Sequence, residues 1–370
     1  MQGQRCFHSR KFPRNPASLI LFLVLKDNNN DWGLHVSTIK DVARLAGVGL
    51  GTASRVVRGQ GSVSQAKLER VRKAIDALGY RPSHAARSLL YGTSRMIGVY
   101  IPLLSGTFYT SLLQVIDTEL RGAGLHMMVA FGVSREDARR QAVEGVGFLL
   151  ERGCDGVIVL TCPLEEEDLA ALGPKRDRIV ALNHSFDSIA AQCFTVDHRL
   201  GGKLAARALL DHAHRDIAVI SGPATVADNI DRIDGFMQEL AAAGIDTGAL
   251  WMAERDFSSA GGRDAARELV ESGYRFSALF CANDEMALGA LSFFHEAGIR
   301  VPQDVSVIGY DDAPSAAYSA PRLTSVHIPW REMTRNGVGA LLNICYDMRR
   351  PVTRAFPVSV SLRASLAGCG

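Results

Sequence analysis

The sequence lacks any hydrophobic run long enough to cross a lipid bilayer. An apolar stretch at residues 19–25 covers only seven positions, whereas a membrane-spanning helix needs about 20 residues. Seven cysteines form an odd set without a C-x-x-C pair, which is typical of reduced thiols in a cytoplasmic protein. We therefore expect a cytoplasmic protein that does not associate with membranes.

Several catalytic and nucleotide-binding motifs are also missing. The chain contains no G-x-x-x-x-G-K-[ST], no G-x-S-x-G and no H-E-x-x-H. Nucleotide hydrolysis, serine esterase activity and zinc protease activity therefore lack support. His212 and His214 have the spacing of a metal pair, but no third ligand is nearby and a helix end is the better interpretation. We expect no cofactor, no metal site and no catalytic residue.

Residues 1–36 fit no folded domain. Four basic residues precede the apolar stretch, as in a signal peptide, but no small-residue cleavage site follows before Lys26. We expect either a disordered extension or a start assigned too early, with true initiation near Val36.

Charge is distributed unevenly along the chain. Residues 37–95 contain eleven Lys or Arg and three Asp or Glu, a net charge of +8. The whole chain carries only +2 and residues 1–36 carry +3, so residues 96–370 carry −9. This asymmetry predicts a basic module that binds a polyanion, joined to a larger acidic domain that does not.

The basic segment has the pattern of a helix-turn-helix. Apolar residues recur at helical spacing after a cap at Ser37 or Thr38, and the first helix stops at Gly47. The second helix turns Ala53 inward and leaves Arg55 outward, and a third helix runs from Ser64 to Gly79. This layout places the second helix in the major groove of DNA.

From Arg95 onward, apolar strands alternate with helical segments. The predicted strands are 97–103, 125–131, 156–161, 179–183, 217–221, 278–282 and 305–309, with helices at 108–122 and 135–152. Buried parallel strands with crossover helices predict two doubly wound α/β subdomains. Ligands of such sheets bind beyond the carboxyl ends of the strands. The candidates there are residues 105–109, Asn183, Asn283, Asp284, Asp311 and Asp312.

Four motifs of the N-terminal part resemble the lactose/galactose repressor family of bacterial transcription regulators: TIKDVARLAGV, TASRVV, GYRPSHAARSL and IGVYIP. The resemblance continues to about Arg363 through DHRLGG, DRIDGF, CANDEMALGAL, VPQDVSVIGYDD and PRLTSVHIP. The galactose-repressor branch is the most similar.

The resemblance implies an N-terminal three-helix helix-turn-helix head with a hinge helix, joined to an α/β body like that of periplasmic binding proteins. The expected boundaries are a DNA-binding domain at 37–82, a hinge helix and linker at 83–94, and an effector-binding and dimerisation domain at 95–370. Within the body, the N-subdomain is expected at about 95–195 plus 327–352, and the C-subdomain at about 196–326 plus 353–370.

The family pattern also implies DNA-contacting residues. Base reading is expected from Leu50, Gly51 and Arg55, of which Arg55 can pair bidentately with guanine. Leu89 is expected to wedge into the minor groove from the hinge and bend the duplex. The full expected set is Thr38, Leu50, Gly51, Thr52, Ser54, Arg55, Arg58, Arg87 and Leu89.

For the effector, the resemblance implies aromatic walls, polar clamps and an acceptor for hydroxyl groups. The expected residues are Phe108, Tyr109, Asn183, Arg232, Phe257, Asn283 and Asp311. Sugars offer apolar ring faces to aromatic side chains and hydroxyls to planar polar groups, so this set suits a sugar or sugar derivative. The family usually has Gly where Ala213 stands, so we expect either local strain or a different helix cap there.

Together these features predict a transcription regulator, and the resemblance implies a repressor, that binds a palindromic operator as a homodimer and responds to the effector. Because the chain ends without an apolar heptad helix, we expect no tetramer. Two alternatives stay open: a periplasmic-type sugar-binding protein of a transport system, and an enzyme that uses Asp284 and Asp311 as paired carboxylates.

Overall fold

The computed structural model describes residues 37–58, 63–80, 93–104, 106–133 and 137–369. The described residues form two compact units, one ending at Tyr80 and the other beginning at Thr93. The extension 1–36 and most of the predicted hinge, with Arg87 and Leu89, lie outside the described residues.

The first unit is a bundle of three helices: α1 (Ile39–Leu45), α2 (Leu50–Arg58) and α3 (Gln65–Leu78). Helix α1 begins at Thr38, whose backbone N–H and hydroxyl donate to the Asp41 carboxylate at 2.9 and 2.7 Å. Gly47, at φ +58°, makes the corner before α2, a conformation that glycine adopts without strain.

Apolar side chains from all three helices form the core of this unit. Val42 and Ala53 are fully buried, as is Val71 of α3, and Tyr80 closes the cluster behind α3. Val42, Ala53 and Val71 are core positions that the helical spacing predicts, whereas the buried Ala74 and Tyr80 are not. The three-helix head is thus confirmed.

The first sheet of the second unit has five parallel strands in the order β2-β1-β3-β4-β5. They are β1 (Met96–Ile101), β2 (His126–Phe131), β3 (Gly156–Leu160), β4 (Ile179–Leu182) and β5 (Cys193–Phe194). The helices between them are α4 (Gly106–Gly122), α5 (Ala138–Glu151) and α6 (Glu166–Ala171).

The second sheet has six strands in the order β11-β10-β9-β8-β6-β7, parallel except for the antiparallel β10–β11 pair. They are β6 (Ile217–Ser221), β7 (Trp251–Glu254), β8 (Ala278–Cys281), β9 (Ser306–Asp311), β10 (Thr324–His327) and β11 (Ser359–Ser361). The helices of this part are α7 (His198–Asp211), α8 (Ala227–Ala242), α9 (Ser259–Glu271) and α10 (Asp284–Glu296).

One further helix, α11 (Trp330–Tyr346), follows the second sheet in sequence but packs against β3, β4 and α4 of the first. The chain then returns to add β11 to the second sheet. The two α/β layers are therefore each built from separate chain segments. Trp330, at the start of α11, is placed to reach the space between them.

The doubly wound architecture predicted from the sequence is confirmed, with differences at the edges. The first strand ends at Ile101 rather than 103, because Pro102 has no N–H to continue the ladder. Helix α5 begins at Ala138 rather than 135. The short strands β5, β7, β10 and β11 were not predicted, since runs of two to four residues show no usable periodicity.

Among the described residues, no helix combines the length and apolar character needed to span a bilayer. Nor do the described residues place three or more His, Cys, Asp or Glu side chains where they could hold a metal ion together. His214 instead bonds Ser277 Oγ at 2.9 Å and the Ala367 carbonyl at 2.9 Å.

Helix α7 ends with a residue type that its backbone conformation disfavours. Ala213 follows the helix at φ +65°, and its N–H donates to the Leu210 carbonyl at 3.0 Å. A non-glycine side chain in this left-handed region costs about 1–2 kcal/mol. Other helices of the same unit are followed by glycine in this conformation, at Gly124, Gly153, Gly244, Gly273 and Gly298.

We therefore expect Ala213→Gly to raise the free energy of unfolding by about 0.5–1 kcal/mol, after the entropy that glycine adds to the unfolded chain. Denaturant unfolding of the full chain measures this. The control is Ala243→Gly, since Ala243 ends α8 at φ −86° and gains nothing from glycine. Equal losses of stability in both variants would disprove strain at Ala213.

Candidate functional site

The outer face of α2 presents polar and basic side chains without any acidic residue. Arg55 and Arg58 are exposed, as is Gly51, and Leu50 is 48% exposed. Thr52 and Ser54 are half-buried on the flanks of this face, while Ala53 points into the core with no exposure. The helix can therefore lay this face against another molecule without disturbing its packing.

The N-terminal end of α2 is open to solvent. Gly49 caps the helix with its carbonyl, which accepts from the N–H groups of Thr52 at 2.9 Å and Ala53 at 3.1 Å. Arg55 Nε donates to the Gly51 carbonyl at 3.2 Å, which holds the side chain along the helix. Thr38 is exposed at the start of α1. Seven of the predicted DNA-contacting residues thus lie in the described head, each at least partly accessible.

A cleft of about 490 Å³ lies in the second unit at the carboxyl ends of the strands of both sheets. Six of the seven predicted effector residues line it: Phe108, Tyr109, Arg232, Phe257, Asn283 and Asp311. The cleft also has contributors that sequence reasoning missed, among them Thr161, Asp228, Asp256, Glu285 and Trp330.

One wall of the cleft is aromatic. The ring of Phe108 packs edge-on against Tyr109 at 5.0 Å between centroids and against Trp330 at 4.9 Å. Tyr109 Oη bonds Thr161 Oγ1 at 2.7 Å, which fixes its ring. Because sugar rings expose C–H groups on their faces, such a wall can pack on them without losing hydrogen bonds.

The charged centre of the cleft is a buried ion pair on α8. Arg232 is 3% exposed and its Nη2 donates to Asp228 Oδ2 at 2.6 Å. Arg232 Nη1 donates to the Ala282 carbonyl, and the guanidinium carbon lies 4.2 Å from the centre of the Tyr310 ring. Burial lowers the pKa of Arg232, but Asp228, Tyr310 and Asp311 together outweigh burial and raise the arginine pKa above its usual value.

Asn183 lies behind the wall rather than in it. Its amide N–H donates to Asp228 Oδ2 at 2.9 Å, so its Oδ1 is the acceptor for His198 Nε2 at 2.6 Å. His198 Nδ1 then accepts from Tyr310 Oη at 2.9 Å. Burial, followed by the charge of Arg232, lowers the His198 pKa to about 4. A neutral histidine thus completes a network in which both side-chain groups of Asn183 are already used; direct effector contact by Asn183 stays a prediction.

Two adjacent carboxylates at the end of β9 have opposite environments. Burial raises the pKa of Asp311 to about 7, with Asp228 adding to the effect and Arg232 opposing it. The indole Nε1 of Trp330 favours the ionised Asp311 but lies outside hydrogen-bond geometry. Asp312 is also desolvated, but hydrogen bonds from Arg363 at 2.6 Å and Ser361 at 2.8 Å lower its pKa.

The contrast predicts a pH effect on stability. Asp311 binds a proton more tightly in the folded state than in the unfolded state, so its contribution to stability falls as pH rises between about pH 4 and 7, whereas the lowered pKa of His198 contributes with the opposite sign. We expect Asp311→Asn to remove the Asp311 contribution from the pH dependence and to raise the free energy of unfolding at pH 8 by roughly 2 kcal/mol.

Asp312→Asn is the matched control for this measurement. It removes a carboxylate whose pKa is lowered on folding, so it should destabilise the protein at pH 8 by about 1–3 kcal/mol. Denaturant unfolding at pH 5, 6, 7 and 8 measures both variants. A wild-type slope that persists unchanged in Asp311→Asn would refute the raised pKa.

Asp284 does not share the cleft with Asp311. It is 1% exposed, and its two carboxylate oxygens accept from Ser325 Oγ at 2.6 Å and from the Ala313 N–H at 2.7 Å. Asp284 is also not among the residues that line the cleft. The structure therefore gives no support to the hypothesis that Asp284 and Asp311 act together on a bound sugar.

Comparison with known proteins supplies the identity of both units. Residues 38–83 match the model of bacterial regulatory proteins of the lacI family, and residues 206–366 match a periplasmic binding protein-like domain. The chain is 30% identical to the HTH-type transcriptional regulator GalR of Escherichia coli over 90% of its own length and 96% of that protein. The chain belongs to the lacI family of bacterial regulatory proteins.

Two solved structures of lacI-family members extend the match. A LacI-family regulator from Burkholderia phymatum is 49% identical, with a TM-score of 0.70, over 74% of this chain and 99% of that one. The lac repressor dimer bound to operator and the anti-inducer ONPF is 27% identical, with a TM-score of 0.75, over 90% of this chain and 99% of that one.

Membership of the lacI family decides between two functions that the sequence left open, a DNA-binding regulator and a periplasmic-type sugar-binding protein. The body has the periplasmic-binding-protein-like architecture, but the chain also carries the lacI-type DNA-binding head. The protein is therefore a DNA-binding transcription regulator and not a component of a transport system. Its relatives in the family are regulators rather than enzymes.

Proposed function

We propose that the protein represses transcription by binding a palindromic operator as a homodimer, with a sugar or sugar derivative in the cleft controlling its affinity for DNA. The observation that carries the proposal is the combination, in one chain, of an exposed basic α2 face with a cleft formed by aromatic rings and a buried Arg232–Asp228 pair.

On the DNA side, Arg55 reads a guanine in the major groove, and Leu50 and Gly51 supply apolar contact without hydrogen bonds. Thr38, Thr52, Ser54 and Arg58 position the head on the backbone. Arg87 and Leu89 act from the hinge, where Leu89 enters the minor groove of the bent operator. A two-fold dimer would place two α2 helices in successive major grooves.

On the effector side, the ligand stacks on Phe108 and Tyr109, with Phe257 as a lid. Arg232, Asn283 and Asp311 hold its hydroxyl groups, and Asn183 supports them through Asp228. The ligand is bound and released without chemical change, which the internal use of Asp284 supports. The site of action is the DNA of the bacterial cytoplasm.

Selection of duplexes from a random pool by the full-length protein tests the proposal. We expect enrichment of inverted repeats whose half-sites lie about one helical turn apart, roughly 10 base pairs between centres. Thermal unfolding of the same protein should shift upward with the effector, because a ligand that binds only the folded state stabilises it. Enrichment without any shared sequence would refute specific operator binding.

A further inference from the structure

The described residues of the cleft carry far more negative than positive charge. Its charged side chains are Asp228, Arg232, Asp256, Glu285 and Asp311. Asp256 is engaged by its own partners, among them the Ser258 N–H and hydroxyl. The other described charged residues of the lining are three carboxylates and one guanidinium. A ligand that enters the cleft gives up much of its hydration, so the sign of this charge bears directly on what can bind.

The single described cation is already committed to protein partners. Arg232 Nη2 donates to Asp228 Oδ2 at 2.6 Å, Nε donates to the Asp228 carbonyl at 3.3 Å, and Nη1 donates to Ala282. Its charge is thus balanced by Asp228 at the bottom of the cleft. The remaining N–H groups can still donate to a hydroxyl oxygen of a ligand, but the described lining residues leave no uncompensated positive charge for an anion.

One position in the cleft that suits an anion is the amino end of α4, where backbone N–H groups and the helix dipole favour negative charge. A protein carboxylate already occupies it. Glu285 Oε1, from the start of α10 across the cleft, accepts from the Thr107 N–H at 2.6 Å and from the Thr107 hydroxyl at 3.2 Å. The Glu285 carboxylate can approach this closely because residue 106 is glycine, since a Cβ at this position would collide with it.

From these three observations we infer that the cleft takes an uncharged ligand, a free sugar or polyol, and rejects phosphorylated or carboxylated sugars. The inference rests on the proposed function of the cleft as the effector site. Glu285 is a specificity-determining residue: it fills the anion position at α4 and repels a second negative charge.

The test compares ligands that differ in charge but hardly in size. A thermal-unfolding screen of sugars, polyols and their acids first identifies ligands that bind the full-length protein. Isothermal titration calorimetry at pH 8 then measures the affinity for the two members of each pair: D-galactose and D-galacturonate, D-glucose and D-glucuronate, and D-ribose and ribose 5-phosphate. We expect the uncharged member of a bound pair to bind at least a hundredfold more tightly than its charged counterpart.

Glu285→Gln tests the assigned residue. The amide oxygen can still accept from Thr107, but the negative charge is gone, so the affinity ratio between uncharged and charged members should fall at least tenfold. The control is Glu271→Gln, which removes the same charge from an exposed position at the far end of α9. That variant should leave the ratio unchanged.

The outcomes separate this inference from the function on which it depends. A charged sugar that binds as tightly as its uncharged counterpart, or more tightly, overturns the inference and leaves the cleft as an effector site. A ratio that Glu285→Gln and Glu271→Gln change equally overturns the role of Glu285. A screen in which no uncharged sugar and no charged sugar binds contradicts both the inference and the proposed effector site.

Discussion

Replacing Arg232 with methionine is expected to lower the free energy of unfolding by about 3–5 kcal/mol and to abolish effector binding. The substitution leaves the Asp228 carboxylate buried without its cation, although Asn183 still donates to it. An unpaired buried charge costs far more than a lost surface contact. The cleft also loses the guanidinium that holds Asp228 and stacks on Tyr310.

The matched control is Arg263→Met, the same change in an exposed pair. Arg263 bonds both carboxylate oxygens of Glu296 at 2.7 Å, with side-chain exposures of 39% and 56%. Its loss should cost about 0–1 kcal/mol. The deficit of Arg232→Met should also be smaller at pH 5 than at pH 8, since Asp228 can then be neutralised by a proton. Similar losses in both variants would show that Asp228 does not depend on Arg232.

Replacing Arg55 with alanine is expected to weaken binding to the selected operator by about 5–150-fold, or 1–3 kcal/mol, the usual range for a bidentate contact to guanine. The loss should be confined to specific DNA, so that the preference for the operator over random duplex falls by the same factor. Because Leu50 and Gly51 offer no side-chain hydrogen bonds, the other two expected base-reading positions cannot replace the contact.

Arg58→Ala is the comparison for this experiment. Arg58 is exposed near the end of α2, and we expect it to contact phosphate, so its loss should weaken all duplexes alike and reduce the salt dependence of binding. Fluorescence anisotropy with both duplexes at several salt concentrations distinguishes the two arginines. An Arg55→Ala loss that is the same for operator and random DNA would contradict base reading by Arg55.

Much of the fold follows from local patterns in the sequence. The head could be predicted because the apolar residues of α1 and α3, among them the core residues Val42 and Val71, recur at helical spacing. The long central strands β1, β3 and β6 are continuous apolar runs. By contrast, β5, β7 and β11 form only because neighbouring strands offer them hydrogen-bond partners, and that information is not local.

The cleft was predicted less completely, for physical reasons. Residues at the carboxyl ends of strands, such as Asp311, could be placed by the rule that ligands bind at strand ends. Trp330 could not, because it reaches the cleft only when the chain crosses back to start α11 against the other sheet. The contact of Asp228 with Arg232 could have been predicted from the sequence. A carboxylate four residues before an arginine on the same helix lies next to it and can form an ion pair.

Asn183 shows the limit of reasoning from position alone. It follows β4 at φ +57°, in the row of residues where a ligand contact is expected, yet both ends of its amide bind Asp228 and His198. The network is visible only when residues from β4, α7, α8 and β9 are brought together. Each polar group in this network is a hydrogen-bond partner of the next, so the role of one side chain cannot be deduced without knowing its neighbours.

The most direct test of the account is the affinity of the full-length protein for its selected palindromic duplex, measured by fluorescence anisotropy with and without a saturating ligand of the cleft. We predict a clear preference for the palindrome over random DNA and a change in that affinity of about 5–150-fold when the ligand is added, the usual scale of coupling between two sites. Equal binding to both duplexes, or an operator affinity that the bound ligand leaves unchanged, would contradict it.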